Sequence, residues 1–128
     1  MASLGKLLKS KFILEKLLSP YIIQLYFEPK LARIRIILRD EIILYIQYNN
    51  YDEYSYSILF SQIVLDRCRF DNYDDRWKVS TRPHHFHPRF NKVGFQSPMN
   101  SDPEHDIPLL CNYVKSGEAL SSKLRFEI

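Results

Sequence analysis

The sequence predicts an α+β fold: an antiparallel β-meander of about five strands packed against an N-terminal helix, with a His-rich loop and a short C-terminal helix after it. Three observations predict it. Apolar residues recur near helical spacing over residues 3–18; β-branched and aromatic segments alternate from Tyr21 to Asp71; and the breaks between those segments are too short for βαβ crossovers, which take a dozen or more residues. At 128 residues the chain suits one domain, 1–128, around a single core.

The opening stretch SLGKLLKSKFILEKLL sets Leu4, Leu7, Leu8, Phe12, Leu14, Leu17 and Leu18 near helical spacing with lysines between them. Ser3 can cap its start, and Pro20 ends it because the residue before a proline disfavours the helical region. The lysine face is either solvated or in contact with phosphates. Then YIIQLYFE, ARIRIILR, EIILYIQY, YSYSILFSQIVL and DRCRFD read as consecutive strands broken at Pro29-Lys30, Arg39-Asp40 and Asn49-Asn50. No clear turn separates Leu59 from Arg69. Alternation puts Ile34, Ile36 and Leu38 on one face and Arg33, Arg35, Ile37 and Arg39 on the other; Arg67 and Arg69 likewise oppose Cys68 and Phe70. One face is therefore apolar and helix-covered, the other rich in Arg and Tyr.

Periodicity stops after Asp71. Residues 73–105 hold Pro83, Pro88, Pro98 and Pro103 and read as a long functional loop, since structureless connections of this length are uncommon in compact domains. DIPLLCNYVKSG then predicts a short helix with Asp106 at its cap, Pro108 in the first turn and Gly117 past the end. Residues 118–128 are ambiguous between helix, strand and a loose tail.

Composition excludes several classes. A hydrophobic fraction of 45% with 26% charge argues against disorder, and a net charge of +3 is compatible with nucleic acid without requiring it. Cys68 and Cys111 form no CxxC pair, which excludes a zinc ribbon and leaves two packed free thiols. No run approaches the roughly 18 apolar residues of a membrane span. Lys6, Lys9, Lys11, Glu15 and Lys16 interrupt any signal-peptide core, so a soluble, cytoplasmic protein is expected.

Three of the four histidines, His84, His85 and His87, fall between Pro83 and Pro88. Imidazoles so close can share a metal, with Asp71, Asp74 or Asp75 adding oxygens, although no zinc motif such as HExxH is present. They can also cut RNA without metal. A neutral imidazole takes the 2′-hydroxyl proton, an imidazolium protonates the leaving oxygen, and a guanidinium steadies the phosphorane. Arg67, Arg69, Arg76, Arg82 and Arg89 are near in sequence, and Tyr54, Tyr56 and Trp77 could stack on unpaired bases. The third option is structural, with the histidines tying a proline-rich loop to the sheet. His105 beside Asp106 reads as a cap neighbour. Arg33, Arg35 and Arg39 either pair with carboxylates across the sheet or form a non-catalytic binding face for nucleic acid or protein.

Tyr54-Ser55-Tyr56, Arg69-Phe70-Asp71-Asn72 and Pro83-His84-His85-Phe86-His87 together resemble the signature of the TumE-like toxins of prokaryotic type II toxin–antitoxin pairs, which share the opening helix, meander and closing helix. The resemblance implies an RNA-cleaving toxin (an endoribonuclease) silenced by a small cognate antitoxin. It carries over Arg69, Asp71 and Asn72 at the strand end and His84, His85 and His87 in the loop. In family members a Pro-His pair often follows Asp-Asn, whereas here Tyr73-Asp74-Asp75-Arg76-Trp77 intervenes. The expected catalytic set is thus His84, His85, His87, Arg69 and Asp71, with Tyr54, Tyr56, Arg67, Asn72, Trp77, Arg82 and Arg89 as RNA contacts. No cofactor is expected, a metal at His84, His85 and His87 being the alternative. The expected partners are an RNA substrate, the antitoxin and a second copy of the chain, with no membrane.

Overall fold

A computed structural model describes residues 2–127. The predicted α+β architecture is present, with a longer meander than the sequence suggested. Helix α1 (Ala2–Leu18) is followed by β1 (Ile22–Glu28), β2 (Arg33–Leu38), β3 (Ile43–Tyr48), β4 (Tyr54–Leu59), β5 (Arg67–Asp71), β6 (His85–His87), β7 (Phe95–Gln96) and α2 (Pro103–Ser116). All seven strands lie in chain order in one sheet, each antiparallel to the next. The difference from five is β6 and β7. They fall inside the 73–105 segment, which is therefore partly sheet rather than a structureless loop. Residues 60–66 form the connection that separates β4 from β5.

Alternation set the faces as expected. Ile34, Ile36, Leu38, Leu44, Ile46, Cys68 and Phe70 are buried on the side covered by the helices. Helix α1 contributes Leu7, Leu14 and Leu18 to the core, with Ser10 fully buried among them and donating to the Lys6 carbonyl. Leu4, Leu8 and Phe12 remain exposed, so the helix buries a narrower stripe than its leucine content suggested. Ser3 is not a cap; its hydroxyl donates to Asn50 Oδ1 in the β3–β4 turn. Burial pushes the free thiols of Cys68 and Cys111 up to about 12. No helix among the described residues is long and apolar enough to cross a membrane.

Two corrections concern the C-terminal part. The cap of α2 is Asp102, which accepts from Glu104 N–H, and the helix begins four residues before the predicted start. Asp106 is instead fully buried one turn inside, where its carboxylate accepts from Asn100 N–H, Ser101 N–H, the Tyr56 hydroxyl and His105 Nδ1. Tyr48 and Tyr56 hydroxyls are joined at 2.7 Å, which extends this network to β3. Phe126 packs edge-on against Phe86 at 5.0 Å and lies 5.7 Å from Phe70, covering the β5–β6 end of the core.

Asp106→Ala strands four donors, among them the fully buried Tyr56 hydroxyl, so it should lower unfolding free energy by about 3 kcal/mol in a urea titration. Tyr48→Phe removes one hydroxyl at the edge of the network and should lower it by only about 1 kcal/mol.

Candidate functional site

On β5 the two-residue period that sends Cys68 and Phe70 into the core turns Arg67, Arg69 and Asp71 to the outer face. On β6 it buries Phe86 in the core and turns His85 and His87 outward. Antiparallel register then pairs Arg69 with His87 and Asp71 with His85. A carboxylate, two imidazoles and two guanidiniums meet on four adjacent strand positions and the one before them.

These residues line a pocket of about 330 Å³ closed by Leu65, Tyr73, Asp74, Arg76, Trp77 and Lys92. A hollow of about 450 Å³ beside Leu59, Phe60 and Gln62 is larger, but it holds no comparable group of buried ionisable residues. The floor of the smaller pocket is buried: Asp71 is 0% exposed, His85 2% and His87 4%. Arg69 reaches into solvent, with 39% of its side chain exposed.

Hydrogen bonds fix how the imidazoles point. His85 Nδ1 lies 2.9 Å from the Pro83 carbonyl, and His87 Nδ1 lies 3.1 Å from the Lys92 carbonyl. A carbonyl only accepts, so each Nδ1 carries the hydrogen and each Nε2 faces the pocket. Burial drives the His87 pKa down to about 4 against the pull of Asp71, so this ring is neutral at pH 7 with a free lone pair at Nε2. His85 Nε2 stands 2.5 Å from Asp71 Oδ1, and Arg69 Nε 2.5 Å from Asp71 Oδ2. Neither contact has the alignment of a hydrogen bond, leaving both buried carboxylate oxygens and Arg69 Nε without one. The Arg69 contact is an ion pair; the His85 contact is one only with a second proton on the ring. Burial, then the neighbouring charge of Arg69, lowers the Arg67 pKa, as expected for like charges two residues apart on a strand face. An anion between the two guanidiniums relieves that repulsion.

Several expected residues lie elsewhere. His84 falls on the opposite face from His85, half-buried and stacked on Tyr54, whose hydroxyl meets its Nδ1 at 2.9 Å. Tyr54 and Tyr56 are fully buried under the helices and have no face left for a base. Asn72 holds the β3–β4 turn, accepting from Tyr54 N–H and donating to the Asp52 carbonyl. Arg82 pairs with Asp75 on the surface, and Arg89 pairs with Asp66 under Phe60 and Phe90. Arg67, Arg69, Asp71, Trp77, His85 and His87 are the expected residues that converge. Tyr73 and Lys92 were missed. Tyr73 continues the alternation of Arg69 and Asp71 and was legible on that ground; Lys92 arrives on the return from β6 and gave no signal.

The family model described as Toxin TumE matches residues 11–116, a span that includes every strand and all of α2. No curated protein and no solved structure matches the chain.

Trp77 forms one wall, its ring centre 5.7 Å from that of His87, and it lies flat enough on Gly94 that a Cβ there would sit 2.6 Å from the indole Cγ. Gly94→Ala should displace the indole, red-shift its fluorescence and lower stability by about 1–3 kcal/mol. As the chain has one tryptophan, the emission reports this wall alone, and an unchanged spectrum would contradict the packing.

Proposed function

The chain belongs to the TumE toxin family, and from that premise and the pocket's chemistry we propose that it is the toxin of a toxin–antitoxin pair and acts by cleaving RNA, with a small antitoxin protein as its partner. The observation that carries the reading is the register that sets a buried carboxylate and two buried imidazoles beneath Arg67, Arg69 and Lys92 at one opening. Cations at the mouth suit a phosphodiester, and groups that hold or accept a proton at the floor suit its cleavage.

In this reading Arg67 and Arg69 bind the non-bridging phosphate oxygens, and Arg69 steadies the extra charge of the phosphorane. The 2′-hydroxyl gives its proton to the floor, where His87 Nε2 offers a lone pair in the ion-free protein. The O2′–phosphorus bond forms as the phosphorus–O5′ bond breaks. O5′ takes up the proton held between Asp71 and His85, leaving a 2′,3′-cyclic phosphate and a 5′-hydroxyl. Trp77 gives an exposed base a ring to stack on. Tyr73, half-buried with its pKa raised by burial, stays un-ionised.

A second reading has one observation in its favour. Cross-strand register aligns Tyr26, Arg35, Tyr45, Ser57, Arg69 and His87 in a row on the outer face, and Arg35 lies over the Tyr26 ring at 4.2 Å. That row suits a strand of RNA bound without being cut. Against it, Arg33 and Arg35 already face Glu28 at 3.0 and 3.7 Å.

Growth arrest on expression and RNA cleavage by the purified chain separate the two. His87→Ala and His85→Ala should each lower the cleavage rate about 10²–10⁴-fold, and Arg69→Ala about 10²–10³-fold. His84→Ala and Arg82→Ala, remote from the floor, should keep the parental rate. Salt-sensitive RNA binding with no cut products, lost in Arg35→Ala and Tyr45→Ala, would instead establish the binding reading.

A further inference from the structure

We propose that Asp71 Oδ1, His85 Nε2 and His87 Nε2 bind a divalent transition-metal ion, of the zinc or cobalt(II) type, at the floor of the pocket. All three residues are buried, and their ligand atoms lie within 4.8 Å of one another. Each imidazole has its Nδ1 hydrogen committed to a backbone carbonyl, of Pro83 and of Lys92. That is the arrangement metal-bound histidines adopt, because it fixes the ring and leaves Nε2 as a lone pair.

The second observation is what lies between the groups. His85 Nε2 stands 2.5 Å from Asp71 Oδ1, both Asp71 oxygens are buried without an aligned hydrogen bond, and a ring with its one hydrogen on Nδ1 would set a lone pair against that oxygen. Two lone pairs at that distance repel, so the gap must hold a positive charge, either a proton or a metal cation. A proton satisfies one pair; an ion satisfies Asp71, His85 and the lone pair of His87 together. A tetrahedral ion roughly 2.1 Å from each ligand sets them about 3.4 Å apart, so binding opens the 2.5 Å Asp71–His85 contact by about 1 Å.

Donor chemistry narrows the ion. Two imidazoles and one carboxylate suit zinc and its neighbours and disfavour magnesium and calcium, which take oxygen. Arg69 keeps Asp71 Oδ2, so the carboxylate binds through one oxygen. The three ligands come from one side, and the mouth of the pocket leaves a position for water, as in catalytic zinc sites. Arg67 and Arg69 oppose a further cation but favour that water as hydroxide. The ion's binding stands apart from the RNA-cleavage reading; its use rests on it. There the hydroxide, rather than His87, takes the 2′ proton and, now water, returns a proton to O5′ in place of the Asp71–His85 proton that the ion displaces; the bonds made and broken at phosphorus are the same.

The test is a cobalt(II) titration of the tag-free chain, stripped with chelator and followed by visible absorption, with zinc added to displace the cobalt. One equivalent should bind and zinc should abolish the band. His85→Gln and His87→Gln should weaken binding about tenfold or more, while His84→Gln leaves it unchanged. Zinc should raise the melting temperature of the parent, a readout that holds even where a variant folds poorly. No band in the parent, or a band that survives both variants, overturns the site. RNA cleavage runs in parallel. A chelator-resistant nuclease without a band sinks the ion and leaves the nuclease, whereas a band without cut products keeps the ion and sinks the nuclease.

Discussion

The pairing of β5 with β6 is the constraint on which the rest depends. Because side chains alternate with a period of two, a slip of one residue would send His85 and His87 into the core and Phe86 into solvent. Three aromatic contacts oppose the slip. Phe70 and Phe86 are cross-strand partners with ring centres 4.6 Å apart, and Phe126 closes over both from the C-terminal segment. Apolar packing on one face thus sets the positions of ionisable groups on the other, and a strand of three residues, too short to hold its register by hydrogen bonds alone, is pinned by its core side.

This explains what the sequence disclosed and what it hid. The faces of β2, β3 and β5 were legible because each runs five or six residues with clean alternation. Strands β6 and β7 span three and two residues, below any readable period, and their pairing is set by neighbours far along the chain. The Arg-Phe-Asp and His-Phe-His stretches read as separate motifs in sequence, yet they are one cross-strand unit, with Phe opposite Phe and charge opposite imidazole. Two errors were avoidable. Adjacent His84 and His85 could not both face one site on an extended backbone. Tyr54 and Tyr56 share a face with Ile58, which already pointed them inward. The cap of α2 was misplaced for a different reason: Asp102 and Asp106 both precede a proline by one or two residues, and only the packing distinguishes them.

Electrostatics sharpen the division between the two faces. On the outer side Arg33 is matched by Glu28, Arg82 by Asp75 and Arg89 by Asp66, so these cations are already neutralised. Among the described residues Arg67 has no carboxylate partner of this kind and lies beside Arg69, whose partner Asp71 is shared with His85. Positive charge is left over here, above a buried floor. An exposed ion pair contributes little to stability, but an uncompensated pair of guanidiniums beside a pocket is a receptor for an anion.

Two of the buried carboxylates, Asp71 and Asp106, are held in opposite ways. Asp106 is fully enclosed and meets four donors, two of them backbone N–H groups; that is how a fold stabilises a charge it needs for architecture. Asp71 is as deeply enclosed, but its neighbours are a guanidinium and an imidazole in close, misaligned contact, with no backbone donor turned toward it. A carboxylate left so under-satisfied costs about 1–3 kcal/mol or more, and the β5–β6 packing holds it there. Architecture alone gives no reason to keep it. A cation or a moving proton between Asp71 and the imidazoles does.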